Sequence, residues 1–225
     1  MKILIAPMVC PFETAGPAQR VAILAKAFSD AGHEVAFCAA EDSNYQPVEG
    51  VENFPSIIPE PLGLPRPLGK IAAFLAFKSG MLKRKEITSF EQVLHILGIL
   101  NPGYFFRDLE ILRQTIKEYK PDIVYSEFRM AALVAAKLEN VILAGSCSCP
   151  ALPSYRRNPE YSVAVRKKLA QMGLPELESI LDLFYWQAKS FIPSSPMLEE
   201  IAMENAIYTG PLISRNLQSA LCATK

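Results

Sequence analysis

The chain has 225 residues, half of them apolar, with 23 basic and 23 acidic side chains and only two histidines. That length buries a real core in one large domain or two small ones, and the composition excludes a disordered chain. Zero formal charge argues against a nucleic-acid binder working by phosphate neutralisation, and His33 and His95 leave little for a histidine metal site.

Lys2-Ile3-Leu4-Ile5-Ala6-Pro7 predicts a strand buried on both faces, as in a parallel sheet. A turn-rich loop runs from Pro7 to Pro17. Val21, Leu24, Ala25 and Phe28 then form the apolar stripe of a helix over 18–31, which Gly32 ends. Glu34 to Cys38 reads as a second strand, completing a βαβ unit of the doubly wound kind.

Between Gln46 and Pro67 the prolines at 47, 55, 59, 61, 65 and 67 predict extended loop, with a short strand near Ile57-Ile58. Leu68 to Lys85 is an apolar, basic helical stretch. Thr88-x-x-Glu91 is a capping box opening a helix through Leu100. Asn101-Pro102 starts the next helix, to Tyr119, and Pro121 to Tyr125 is a strand. A helix over 131–138 and a strand over 141–144 follow. Asn158-Pro159 caps a helix to Met172, and Gly173 separates it from another over 175–188. Phe191-Ile192-Pro193 is a late strand, Ser195-Pro196 starts a short helix, and Ile207-Tyr208 is a final strand. The expected architecture is one Rossmann-like α/β domain with a mostly parallel sheet and a helical region inserted after the second or third strand.

The five cysteines, Cys10, Cys38, Cys147, Cys149 and Cys222, are an odd, scattered set, read as reduced thiols of a cytoplasmic protein. Cys147-Ser148-Cys149 lacks the second half of a zinc site. No signal peptide is expected from the short apolar run before Pro7, and no stretch is long and apolar enough to span a membrane. The Gly16 loop has one glycine where a dinucleotide fingerprint needs three, and there is no G-K-[ST]. That argues against a dinucleotide-dependent oxidoreductase and against a flavodoxin-like binder.

The run KILIAP…GPAQRVAILAKAFSDAGHEV resembles the start of GT-B fold glycosyltransferases, closest to the UDP-glucuronosyltransferase and macrolide-glycosyltransferase type. KPDIVYSE resembles the strand that precedes the helix after that family's acidic residue. FIPSSPMLEE and AIYTGPL resemble its late segments, in the right order up to about Leu212. The resemblance implies an N-terminal, acceptor-side domain over 1–212, with 213–225 beginning an interdomain linker or tail. The donor-binding domain would lie outside these residues, as a second domain or a separate chain. It also implies a nucleotide sugar, expected to be UDP-linked, held by that second domain, with no cofactor bound by this half and no metal. The partners would be a small-molecule or lipid acceptor and the donor-binding domain, without nucleic acid.

In the family a histidine in a G-H pair is the general base that activates the acceptor hydroxyl, and an acidic residue orients it. The resemblance places Gly16-Pro17 on that pair, so the base is replaced by Pro17, and the acidic position falls on Glu127. Glu13, in the same loop, is the other candidate base. The alternative is a surface Glu13 and a Glu127 paired with Arg129 or another cation. Phe12, Gly16, Phe74, Phe77, Ser146 and Cys147 are candidate acceptor-binding residues, the last two because carboxyl ends of strands line the crevice of a doubly wound sheet. The stretch from Arg66 to Lys85 carries Arg66, Lys70, Lys78, Lys83, Arg84 and Lys85. It could wall an acceptor pocket, lie peripherally on an anionic membrane, or pack with its lysines solvated. His33 and His95 read as structural. Neither cysteine of the C-x-C pair has a base beside it, and no G-x-S-x-G surrounds Ser194-Ser195.

Overall fold

The computed structural model describes residues 1–11, 15–42, 45, 47–60, 64, 68, 69, 71 and 87–212. Phe12, Glu13, Phe74, Phe77, most of the basic stretch over 66–85 and the segment 213–225 lie outside the described residues.

Among the described residues, seven strands form one sheet: β1 (Lys2–Pro7), β2 (Glu34–Ala39), β3 (Glu52–Pro55), β4 (Ile123–Glu127), β5 (Ile142–Ser146), β6 (Lys189–Ile192) and β7 (Ala206–Tyr208). Their order is β3-β2-β1-β4-β5-β6-β7, and every pairing between them is parallel. The α-helices described in full are α1 (Ala15–Asp30), α2 (Phe90–Ile96), α3 (Pro102–Tyr119), α4 (Met130–Leu138) and α5 (Val163–Gln171). This is a Rossmann-like, doubly wound fold, and its strand order reverses between β1 and β4.

Strand alternation divides the core. Ile3, Ile5, Val35, Phe37, Tyr125 and Ala144 turn to one face, where Val21 and Ala25 of α1 cover them. Leu4, Ala6, Ala36, Val124 and Leu143 turn to the other, against α3, α4 and the turns over Ile180–Trp186. Burial on both faces is why these strands read as unbroken apolar runs rather than alternating ones.

Most expected elements are present within a residue or two, and five differ for identifiable reasons. The third strand is Glu52–Pro55, not a segment near Ile57. It is an edge strand, where proline is tolerated, and the Asn53 side chain pins it by accepting from Ala39 N at 3.0 Å and donating to Ala39 O at 3.2 Å. The N-cap of α2 is Ser89, not Thr88, and accepts from Gln92 N at 3.2 Å. Glu91 therefore closes no capping box. It is buried and accepts from Asn158 N at 2.6 Å and Ser162 Oγ at 3.0 Å, tying α2 to the later chain. The α2 helix stops at Ile96, ahead of Gly98 in the left-handed region at φ 77°.

The helix expected over 158–172 is a single tight turn, Pro159–Tyr161, followed by α5. The segment expected as a helix over 175–188 is a run of tight turns, Ile180–Trp186, opened by a Ser179–Asp182 capping box. Its period of three buries Ile180 with Leu183 and Leu181 with Phe184. Ser195 accepts from Leu198 N and Glu199 N at 3.0 Å each, but only one turn forms. Met197 and Leu198 are exposed there and offer no apolar face to extend it.

Candidate functional site

The sheet delivers three strand ends to the point where the strand order reverses. Pro7 of β1 aligns with Glu127 of β4, and Glu127 aligns with Ser146 of β5. In doubly wound sheets this crevice, beyond the carboxyl ends, is where ligands bind. Tyr125, Glu127 and Ser146 share the α1 face by alternation, and α1 brings Arg20 to them.

Four side chains form one network. Arg20 Nε donates to Glu127 Oε1 at 2.6 Å. Ser146 Oγ donates a very short hydrogen bond to Glu127 Oε2. Tyr125 Oη and Ser146 Oγ lie 2.9 Å apart. The Ser146 proton is committed to the carboxylate, so Tyr125 donates to Ser146 and the chain of donation ends at Glu127. Glu127 is 0% exposed, whereas the Arg20 side chain is 32% exposed. Burial, and then the nearby Glu127 charge, hold the Tyr125 phenol well above its ordinary range, so it stays a donor at neutral pH.

A second buried ion pair fixes the loop after β4. Arg129 Nε donates to Asp108 Oδ2 at 3.0 Å, and its terminal nitrogens reach Asp108 Oδ1, Ser56 Oγ and Cys38 O. Burial opposes the charge on Arg129, but Asp108 and the other neighbours outweigh it, so the guanidinium is held above its ordinary value. Between the two pairs stands Phe128, whose φ of 59° is rare for an aromatic residue. That backbone step sends Glu127 and Arg129 to different partners. The Phe128 ring packs edge-on against Phe90 and Phe184, with the Arg20 guanidinium 5.9 Å from its centre.

The expected residues separate accordingly. Glu127 and Ser146 come together. The cation beside Glu127 is Arg20, which sequence reasoning did not single out, and Arg129 turns to Asp108 instead. Tyr125 was also missed, although its alternation with Glu127 in VYSE carried the signal. Gly16 and Pro17 belong to the first turn of α1, not to the preceding loop, which suits proline's missing N–H. Cys147 is fully buried on the opposite face of the sheet, donates its N–H to Phe191 O at 3.0 Å, and has its thiol pushed up to about 12 by burial. His95 is an exposed helix residue whose ring lies 4.8 Å from that of Tyr161, and His33 follows Gly32 at φ 80°. Among the described residues, no three potential metal ligands gather, and no helix is long and apolar enough to cross a membrane.

No family model and no curated protein matches the sequence. Solved structures match the fold. The spinosyn rhamnosyltransferase SpnG aligns over 92% of this chain and 49% of its own, with a TM-score of 0.58 and 13% identity. The Streptomyces sp. SF2575 glycosyltransferase SsfS6 aligns over 92% and 53%, with a TM-score of 0.53 and 17% identity. Phytolacca americana UGT2, solved with UDP-2fluoro-glucose and pterostilbene, aligns over 95% and 54%, with a TM-score of 0.53 and 9% identity. The chain thus spans about half the length of the structures it matches. It has the fold of one half of a GT-B glycosyltransferase.

Proposed function

We propose that this chain is the acceptor-side half of a glycosyltransferase. With a donor-binding domain, in the same chain or a separate one, it would move a sugar from a nucleotide donor, expected to be UDP-linked, to a hydroxyl of an apolar small molecule or lipid. The observation that carries this reading is the buried carboxylate of Glu127. It stands at the point of strand-order reversal of a half-GT-B fold, where the family resemblance places its acidic residue.

Both oxygens of Glu127 are engaged, one by Arg20 and one by Ser146. In this arrangement the carboxylate orients its neighbours. Glu13 is the second candidate for the base. The same pairing favours a rival reading: a non-catalytic partner that recruits a separate donor-binding chain, since Pro17 has no proton-accepting group.

The test is an activity screen of this chain together with a donor-binding domain, varying donors and acceptors, followed by Glu13→Gln and Glu127→Gln. If one of them is the base, its variant loses about two orders of magnitude in turnover or more. Wild-type turnover in both variants removes them from the mechanism. No turnover with any donor and acceptor favours the non-catalytic partner.

A further inference from the structure

Parallel sheets ordinarily have both faces covered. Here α1 covers β1, β2 and β4, and among the described residues no helix covers β5, β6 and β7 on the same side. Register places Phe191 of β6 between Ser146 of β5 and Ile207 of β7 on that side, and Ile142 shares it by alternation. Ile142 is 59% exposed and Ile207 40%. A cavity of about 190 Å³ opens beside them against Leu24 and Phe28 of α1, and its accessible lining is almost wholly apolar. An apolar space of about 150 Å³ stays dry, so this one favours an apolar occupant over water.

The chain itself turns toward this face. Thr209 donates its N–H at 2.9 Å and its hydroxyl at 3.1 Å to Ile192 O, which fixes the end of β7 beside that of β6. Gly210 follows in left-handed backbone at φ 70°, and Leu212 then joins Leu24 and Phe28 in the cavity wall. The path after β7 therefore leaves the sheet edge and heads back over β6 toward α1. Residues 213–225 come next and lie outside the described ones. Their sequence carries Ile213, Leu217, Ala220 and Leu221 at i, i+4, i+7 and i+8, the apolar stripe of a helix, with Arg215, Gln218 and Ser219 away from it. A helix over this segment would be about 20 Å long. Three strands at a spacing of about 4.8 Å span about 10 Å, so it is long enough to cross the uncovered face.

We propose that residues 213–225 form a helix that lies across β5–β7 on the α1 side, with Leu217 and Leu221 against Ile142, Phe191 and Ile207. The proposal concerns how the sheet is completed and does not depend on sugar transfer.

The test is NMR on the full chain with isoleucine and leucine methyls labelled. Nuclear Overhauser contacts are expected from Ile142 and Ile207 to Leu217 and Leu221. Leu217→Asp should abolish them, move the Ile142 and Ile207 signals, and speed amide exchange in β6 and β7 roughly tenfold or more, the value of burying one leucine. Ser219→Asp, placed away from the stripe, should change none of these. Absence of the contacts in the wild-type chain would overturn the proposal. So would contacts that arise only between differently labelled molecules, which would give the face to a second copy, and so would equal effects of Leu217→Asp and Ser219→Asp.

Discussion

Arg20 of α1 and Glu127 of β4, 107 residues apart, are joined by a 2.6 Å hydrogen bond that closes the α1 face over the end of β4. The two ends of this bond are unequal. The carboxylate is sealed from water, while the guanidinium keeps about a third of its surface in solvent. That inequality sets what each deletion costs.

Arg20→Met should be the more damaging substitution, because it leaves the Glu127 charge buried with only Ser146 as a partner. Removing one member of a buried pair costs about 3–5 kcal/mol. Glu127→Gln leaves a cation that water already reaches, so its cost should be smaller, about 1–2 kcal/mol after allowing for that exposure. Urea unfolding of both variants checks the order, and a larger loss for Glu127→Gln would contradict the inequality of exposure.

The Asp108–Arg129 pair is symmetric, with both side chains at most 3% exposed. Asp108→Leu should therefore cost about 3–5 kcal/mol, as should Arg129→Met, because each leaves a buried unpaired charge. The double variant Asp108→Leu/Arg129→Met should recover much of that, since apolar replacement of a whole buried pair is often neutral. A double-mutant cycle from denaturation midpoints measures the coupling. Simple additivity would show that the two residues do not act as a unit.

The order of strands and helices was legible because βαβ units leave a strong trace. Long apolar runs such as KILIAP and the stripe Val21, Leu24, Ala25 and Phe28 have no competing reading. The site was legible only in part. The resemblance located Glu127, and the rule about carboxyl ends located Ser146. Arg20 left no local signal. It is a basic residue on an amphipathic helix, and only the packing of α1 across the end of β4 makes it the partner of Glu127 rather than a solvated side chain. Arg129, two residues from Glu127, was the natural guess from sequence. The left-handed backbone of Phe128 defeats it, and an aromatic side chain gives no hint of that conformation. The tight turns over Ile180–Trp186 were misread because closely spaced apolar residues suit a period of three nearly as well as one of 3.6.

Gly145 should tolerate no side chain. A Cβ there would lie 2.3 Å from Ser126 O on the neighbouring strand and 2.9 Å from Gln187 Nε2. The side-chain amide could give way, but the backbone carbonyl belongs to the β4–β5 ladder and cannot. Gly145→Ala should therefore cost about 3 kcal/mol, the upper end of overpacking, and should disturb Ser146 beside it. Thermal unfolding checks the first effect. A variant as stable as the wild-type chain would mean that β4 and β5 can part without cost.

Thiol chemistry offers a pH-dependent check of the core. Burial is the main cause pushing Cys10 up to about 11 and Cys147 up to about 12, with Asp42 adding to the shift at Cys10 and Glu199 and Cys149 to that at Cys147. Thiolate is the reactive form, so neither residue should be alkylated appreciably by iodoacetamide at pH 8 in the native chain, whereas both should react in urea. The stability effect follows in sign. These thiols titrate at higher pH folded than unfolded, so the folded state favours their neutral form. That contribution is complete below the unfolded value of about 8.5 and is lost as pH rises from there through about 11 and 12. Unfolding free energy should therefore decline between pH 8.5 and 11, and Cys147→Ala should reduce the decline. Fast alkylation of Cys147 at pH 8 under native conditions would show that the end of β5 opens to solvent.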